Sequence, residues 1–311
     1  MGRFLKQFGL FFVLLLAVCL IVFGIQTWNI RKQAIFKFPK DYKYLMLGHS
    51  HAECAYNDTL IANFKNIATS GESYFYTYYK LKNVLAQNDS IKMVLVEFTN
   101  NQIDANMDTW IWGDKYIAKF YSKYGSFIDL KDTSLLLKHN SISVLNNFSV
   151  LQKRNLMNVI NNDYSYNDDL GGYIHYGQND LEKAIINQQE TKKNKTFKDI
   201  SQTNLLYLEK IVSLCKQHNK EIVFIRSPQH WKLRTRSNES ELLQIYENKF
   251  SEVPYFDFND FEIPDAGFKD LGHLNYKGAQ IISKALDSLL KLNTVKLVFL
   301  KQDKRLIVSE P

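Results

Sequence analysis

An α/β fold of three layers with a parallel sheet follows from two features of this sequence. Short apolar runs that read as strands alternate with segments of helical periodicity, and turn residues follow those runs. A third feature, an uncharged apolar stretch near the N-terminus, adds one transmembrane helix. A break in the alternation over about 104–200 adds a largely helical insertion.

The apolar stretch Phe8–Ile25 has eighteen residues and covers roughly 27 Å as a helix, against a hydrocarbon core of about 30 Å. Arg3 and Lys6 precede it, and Trp28, Arg31 and Lys32 follow, which suits anchoring at both interfaces. Its length and the lack of a small-x-small site after it favour an uncleaved anchor over residues 1–28 rather than a cleaved signal peptide. The main domain is then expected over 29–311. The bulky Val18 before Cys19 and the apolar residues after it argue against a lipoprotein signal.

Tyr42–Leu47 reads as the first strand, ending at Gly48, and Leu60, Ile61 and Phe64 suggest a helix after it. Asn66-Ile67-Ala68 forms a short second apolar stretch, followed by Ser70-Gly71 and a Tyr-rich helix to about Leu85. Met93–Phe98 is the strongest strand signal and runs into Thr99-Asn100-Asn101. Beyond the insertion come a helix at about 202–218, a strand at Glu221–Ile225, a helix near 239–250, a strand at Pro254–Phe258 and an amphipathic helix at about 275–291. The tail Val295–Val308 suggests a hairpin. Cys215 falls on a helical apolar stripe and reads as core, and neither Cys54 nor Cys215 has metal-ligand spacing.

Composition narrows the function classes. With 311 residues, 45% apolar and 23% charged, the chain can bury a large core, which excludes disordered and disulfide-scaffold classes. The net charge of +7 comes from scattered Lys and Arg with no basic run, which suits a membrane surface better than nucleic acid.

In an open parallel sheet, ligands bind beyond the carboxyl ends of the strands. Gly48-His49-Ser50-His51, Ser70-Gly71, Asn100-Asn101 and Asp270-Leu271-Gly272-His273 would therefore gather at one edge. Their chemistry suits acyl transfer by a serine nucleophile: Ser50 attacks, His273 takes its proton, and Asp270 fixes the imidazole. Donors to the developing oxyanion would be the backbone N–H of Ser50 and of Gly71 and the side chain of Asn100, with Asn101 as the alternative. Such chemistry calls for no cofactor. His49 and His51 alone lack the further ligands of a metal site. Ser50 in a bland reading is only a helix cap, and a nucleophile-elbow reading of residues 48–52 fails on the order of the acid and histidine in the chain. The insertion carries Trp110, Trp112, Tyr164, Tyr166, Tyr173 and His175, aromatics that suit either ordinary packing or a sugar-binding wall. Of these Tyr173 and His175, with His51, are the candidate substrate contacts.

These residues resemble the SGNH (GDSL-like) hydrolases, a flavodoxin-like superfamily. Gly48-His49-Ser50, Gly71, Asn100, Asp270-Leu271-Gly272-His273 and the following Leu274-Asn275-Tyr276-Lys277-Gly278 stand in that family's order. The likeness spans roughly 40–100 and 200–290. His49 departs from the usual Asp, and Glu97-Phe98-Thr99-Asn100-Asn101 departs from Gly-x-Asn-Asp. The anchor and insertion look most like the envelope branch, which includes the D-alanyl-lipoteichoic acid transfer protein and alginate acetylation proteins. That resemblance implies a serine esterase or O-acyltransferase acting on an envelope glycan or polysaccharide. It also implies a membrane-bound O-acyltransferase as partner and a domain outside the cytoplasmic membrane. A non-catalytic scaffold for the same partners is the competing expectation.

Overall fold

The computed structural model describes residues 1–190, 199–233, 238–296 and 305–307. In chain order the elements used below are α1 (Gly2–Gln33), β1 (Tyr44–Leu47), α2 (Ser50–Ala55), β2 (Phe64–Asn66), α3 (Tyr74–Leu85), β3 (Met93–Glu97), α4 (Asn100–Ile103), α5 (Leu130–Asn161), α6 (Gln202–Gln217), β4 (Glu221–Arg226), α7 (Glu239–Ile245), β5 (Tyr255–Asp257), α8 (Tyr276–Lys296) and β6 (Arg305–Ile307). By packing, the chain divides into two compact units, one made of 1–36 with 112–166 and the other of 37–111 with 167–311.

The larger unit is built on a parallel sheet in the order β2-β1-β3-β4-β5-β6. Its first five strands follow the flavodoxin-like order 2-1-3-4-5, which places the topological switch between β1 and β3. Met46, Leu95, Val223, Ile225 and Phe256 point to one face, where they share a core with Ala52 and Ala55 of α2 and with Ile282, Leu286 and Leu290 of α8. Alternation along each strand sends Leu45, Leu47, Val94, Val96 and Phe224 to the opposite face, and all five are buried. On that second face α3 packs on α6, and α6 on β4. Helices on both faces explain why the strands read as continuous apolar runs rather than alternating ones.

Two sequence expectations are corrected here. No helix forms on Leu60, Ile61 and Phe64; the chain turns into α2 directly at Ser50, and Phe64 begins β2. Their spacing reflects burial of Ile61 and Phe64 in the core below the sheet, not a helical face. The tail hairpin is replaced, where the chain is described, by the strand β6 running parallel to β5; residues 297–304 and 308 lie outside the described residues. Cys54 and Cys215 are buried free thiols.

In the smaller unit, α1 has a mean hydropathy of 3.1 over its most apolar window, none of it buried. That length and composition suit a membrane span, and a signal segment shares them. The end of α1 is tied to its own unit. Arg31 donates to the carbonyls of Ser126 and Ile128, the second at 3.0 Å. Ile30 is buried and Phe36 stacks on Tyr166 at 4.9 Å. Phe23 meets Phe148 of α5 edge-on at 5.4 Å. Helix α5 is interrupted at Asn140 (φ −154°, ψ 73°), whose amide instead bonds the carbonyl of Trp112 at 2.9 Å.

Candidate active site

Every residue of the candidate site belongs to the larger unit, and the switch between β1 and β3 positions most of them. The chain leaves β1 at Gly48 and enters α2 at Ser50, so Ser50 sits at the first helical position with its hydroxyl half-buried. Gly48 is required. A Cβ there would lie 2.7 Å from both the Cβ and Oε2 of Glu97 and 2.9 Å from the Cβ of Ala52.

His273 Nε2 lies 2.8 Å from Ser50 Oγ. Its Nδ1 lies 2.9 and 3.1 Å from the two carboxylate oxygens of Asp270. Asp270 Oδ1 also accepts the N–H of Gly272 at 2.9 Å and of His273 at 3.0 Å, which locks the loop that carries both residues. Burial works to raise the Asp270 pKa. The hydrogen bond and charge of His273 and the two backbone N–H groups outweigh it, so the carboxyl is held below its ordinary value. An ionised Asp270 places the neutral imidazole's proton on Nδ1 and leaves the Nε2 lone pair facing the Ser50 hydroxyl.

After β2 the turn Thr69–Glu72 closes with Glu72 N–H donating to Thr69 C=O at 3.0 Å. Gly71 takes φ +76° at its third position, where a type II turn needs a left-handed residue. The backbone N–H groups of Ser50 and Gly71 have no hydrogen-bond partner among the described residues.

The two asparagines after β3 part company. The Asn100 amide donates to Glu239 Oε2 at 2.9 Å and accepts from Arg226 at 2.9 Å, where the buried Arg226 grips the partly exposed Glu239 carboxylate with both terminal nitrogens. Both ends of the Asn100 carboxamide are thus engaged with the Arg226 and Glu239 pair. The Asn101 carboxamide is engaged too, its oxygen accepting the Thr99 hydroxyl and its nitrogen standing 3.2 Å from His49 Nε2, but these partners lie beside Ser50, which His49 precedes.

His51 lies between the groups. Gln229 places its amide nitrogen 3.0 Å from His51 Nδ1, and the His51 ring stands 5.2 Å from that of His273. Of the candidate contacts from the insertion, exposed His175 stacks on Tyr276, three residues beyond His273, at 4.8 Å. Half-buried Tyr173 precedes Ile174, whose N–H bonds the carbonyl of Glu53 in α2 at 3.0 Å. Trp110 approaches His49 edge-on at 5.9 Å. Trp112, Tyr164 and Tyr166 belong to the other unit, where Trp112 stacks on His139 at 3.8 Å.

Sequence reasoning passed over Glu97, the wholly buried last residue of β3. His49, His51 and Glu97 bring three ligating atoms within 4.8 Å of one another, the third donor that the histidine pair lacked in sequence. Those atoms are already engaged. His49 Nδ1 accepts the N–H of His51, Gln229 contacts His51, and the Glu97 oxygens accept from Ser227, Ala52 and His49. The three form a hydrogen-bonded network, and the residues fit a metal poorly.

Burial sets the charge of this network. It pushes the Glu97 carboxyl up to about 8, against hydrogen bonds from Ser227, Ala52 and His49 that favour the anion. It takes the His49 imidazole down to about 3, with the charge of His273 acting in the same sense. His51 falls well below its ordinary value through burial, reinforced by His49, His273 and Arg226. Stability should therefore have two limbs. Below the ordinary histidine value of 6.5 the unfolded chain takes up protons that folded His49 and His51 refuse, so stability falls toward acid. Above the ordinary value of 4.5 the unfolded Glu97 releases a proton that the folded one retains up to about 8, so this term erodes stability as pH rises. Two histidines outweigh one glutamate in the overlap, which puts the expected maximum near pH 6.5. Melting the detergent-solubilised chain from pH 5 to 8.5 checks this, as does Glu97→Gln, which should remove only the alkaline decline. A wild-type melting temperature that climbs steadily through pH 8 contradicts it.

The fold and site define an α/β protein with a hydrogen-bonded serine, histidine and aspartate at the sheet's switch point. A protein-family model matches residues 175–294, less than half of the chain. No curated protein matches. Among solved structures the chain is similar to a Bacteroides fragilis protein described provisionally as an acylhydrolase. The two are 8% identical, with 86% of this chain and 94% of that one covered at a TM-score of 0.36. At that distance nothing about activity transfers, so the functional reading rests on the side-chain geometry.

Proposed function

We propose that the chain is a membrane-anchored serine acyl-esterase or O-acyltransferase acting on a cell-envelope glycan. The observation that carries this reading is the continuous chain of hydrogen bonds from Ser50 through His273 to Asp270. As Ser50 Oγ bonds to the acyl carbonyl carbon, its proton passes to His273 Nε2, and Asp270 stabilises the imidazolium. The carbonyl oxygen becomes an oxyanion, for which the unclaimed N–H groups of Ser50 and Gly71 and the amide of Asn101 are the proposed donors. When the tetrahedral intermediate collapses, the bond to the leaving oxygen breaks and His273 returns the proton to it, leaving an acyl-Ser50 ester. Water or a sugar hydroxyl then attacks that ester by the same steps in reverse order, and which of them arrives separates hydrolase from transferase.

A groove of about 550 Å³ lined by Gln229, Trp231, Asp260, Glu262 and Asp265 supports a polyhydroxylated substrate. Gln229 links it to His51 and so to the site. Trp231 is 75% exposed and offers a flat face for a sugar ring, while the carboxylates can accept hydroxyl hydrogen bonds. Helix α1 supplies the proposed tether, and a membrane-bound O-acyltransferase is the proposed source of acyl groups for a domain outside the cytoplasm. Tethering raises the effective concentration of Ser50 near such a partner.

One labelling experiment tests chemistry and sidedness together. A membrane-impermeant fluorophosphonate applied to spheroplasts with an intact cytoplasmic membrane should label the wild type and leave Ser50→Ala unlabelled. Labelling that appears only after lysis would place the site in the cytoplasm. Equal labelling of wild type and Ser50→Ala would refute the nucleophile.

A further inference from the structure

The turn that carries Ser50 leaves a set of buried backbone donors to be satisfied, because the first N–H groups of a helix have no intrahelical acceptor. All but one have a named partner. Glu53 N–H donates to His49 C=O at 3.0 Å and His51 N–H to His49 Nδ1 at 3.3 Å. Ala52 N–H and His49 N–H both donate to the same oxygen, Glu97 Oε2, each at 3.2 Å. The N–H of Ser50 alone is left without a partner among the described residues.

Glu97 reaches this position through the sheet. It ends β3, where the β1 register pairs Leu47 with Val96 and so sets Gly48 beside Glu97. The missing Cβ of Gly48 is the space its carboxyl group occupies. On the other side Glu97 pairs with Ile225 of β4, and its Oε1 accepts the hydroxyl of Ser227 at 2.9 Å. One wholly buried carboxyl group thus joins the ends of three strands and receives the N–H groups that bracket Ser50.

We propose that Glu97 is a positioning residue for the Ser50 turn: it holds the backbone on both sides of Ser50 so that the hydroxyl faces His273 and the Ser50 N–H remains available to an oxyanion. This rests on the acyl-transfer reading above. Glu97 touches no reacting atom. It acts through the geometry of residues 49–52, so its loss should slow chemistry more than it weakens substrate binding.

The test measures turnover of p-nitrophenyl acetate and the rate of fluorophosphonate labelling at Ser50 on the full chain, with melting temperature as the folding control. Glu97→Ala is expected to lower kcat and the labelling rate by about 10²-fold while KM stays within about threefold. Glu97→Gln should rescue both to within about fivefold, since its amide oxygen can take the two N–H groups and its nitrogen can donate to Ser227. If Glu97→Ala does not fold, Ser227→Ala decides, with an expected fall of about 3–10-fold in kcat at unchanged KM. A folded Glu97→Ala with wild-type labelling overturns the proposal, as does a Glu97→Gln no better than Glu97→Ala or a Ser227→Ala with wild-type kcat. A wild type that takes no probe at Ser50 overturns the acyl-transfer reading itself, and this proposal with it. A wild type and a folded Glu97→Ala that react equally remove only the role of Glu97.

Discussion

Ser50→Ala and His273→Ala are each expected to lower acyl turnover at least about 10³-fold, the usual cost of losing a nucleophile or its base. Neither change should unfold the chain. Ser50 is half-buried and His273 is 28% exposed, so neither side chain fills a closed core. Because the two act as one unit, the double variant should be no slower than either single one. Asp270→Asn should cost less. The oxygen that accepts the Gly272 and His273 N–H groups also accepts Nδ1, so an asparagine can preserve the loop and the ring orientation while losing the charge. The measurement is steady-state hydrolysis of p-nitrophenyl acetate. Near-normal turnover in Ser50→Ala would end the nucleophile assignment.

The parts of this site that were legible in sequence are those set by chain order. Gly48-His49-Ser50 after a strong strand and Asp270 three residues before His273 needed only an α/β alternation to bring them together, and the parallel sheet places both groups at one end. The part played by Glu97 was hidden because Met93–Phe98 reads as one apolar strand. The available signal was the charge itself: a glutamate closing a strand buried on both faces is rare without a partner. Helix α2 was hidden for a different reason. It has only six residues, and β2 three, so neither is long enough for periodicity to show. The aromatic residues of the insertion could not be sorted at all by sequence. Trp110 borders His49 while Trp112, two positions later, stacks in the other unit, a difference set by tertiary packing and not by spacing.

Asn100 and Asn101 pose the same difficulty, and the structure turns it into a measurable contrast. The sequence offered Asn100 with Asn101 as the alternative; β3 ends at Glu97 and a short helical turn, α4, starts at Asn100, so strand alternation cannot decide between them. Asn100 faces the Arg226 and Glu239 pair, and Asn238 also donates to its carbonyl at 2.8 Å. Removing the Asn100 side chain leaves a buried guanidinium short of an acceptor. Asn100→Ala should therefore lower the melting temperature, by an amount matching roughly 1–3 kcal/mol for a buried group left unsatisfied, with a lesser effect on kcat. Asn101 is half-buried, and its carboxamide stands at His49, next to the proposed nucleophile Ser50. Losing one oxyanion donor typically costs about 10²–10³ in rate. Asn101→Ala should therefore lower kcat by about that factor with little change in KM or melting temperature. The reverse pattern, a stable but slow Asn100→Ala beside a fast Asn101→Ala, would return the role to Asn100. Wild-type rates in both would leave the oxyanion to the N–H groups of Ser50 and Gly71 alone.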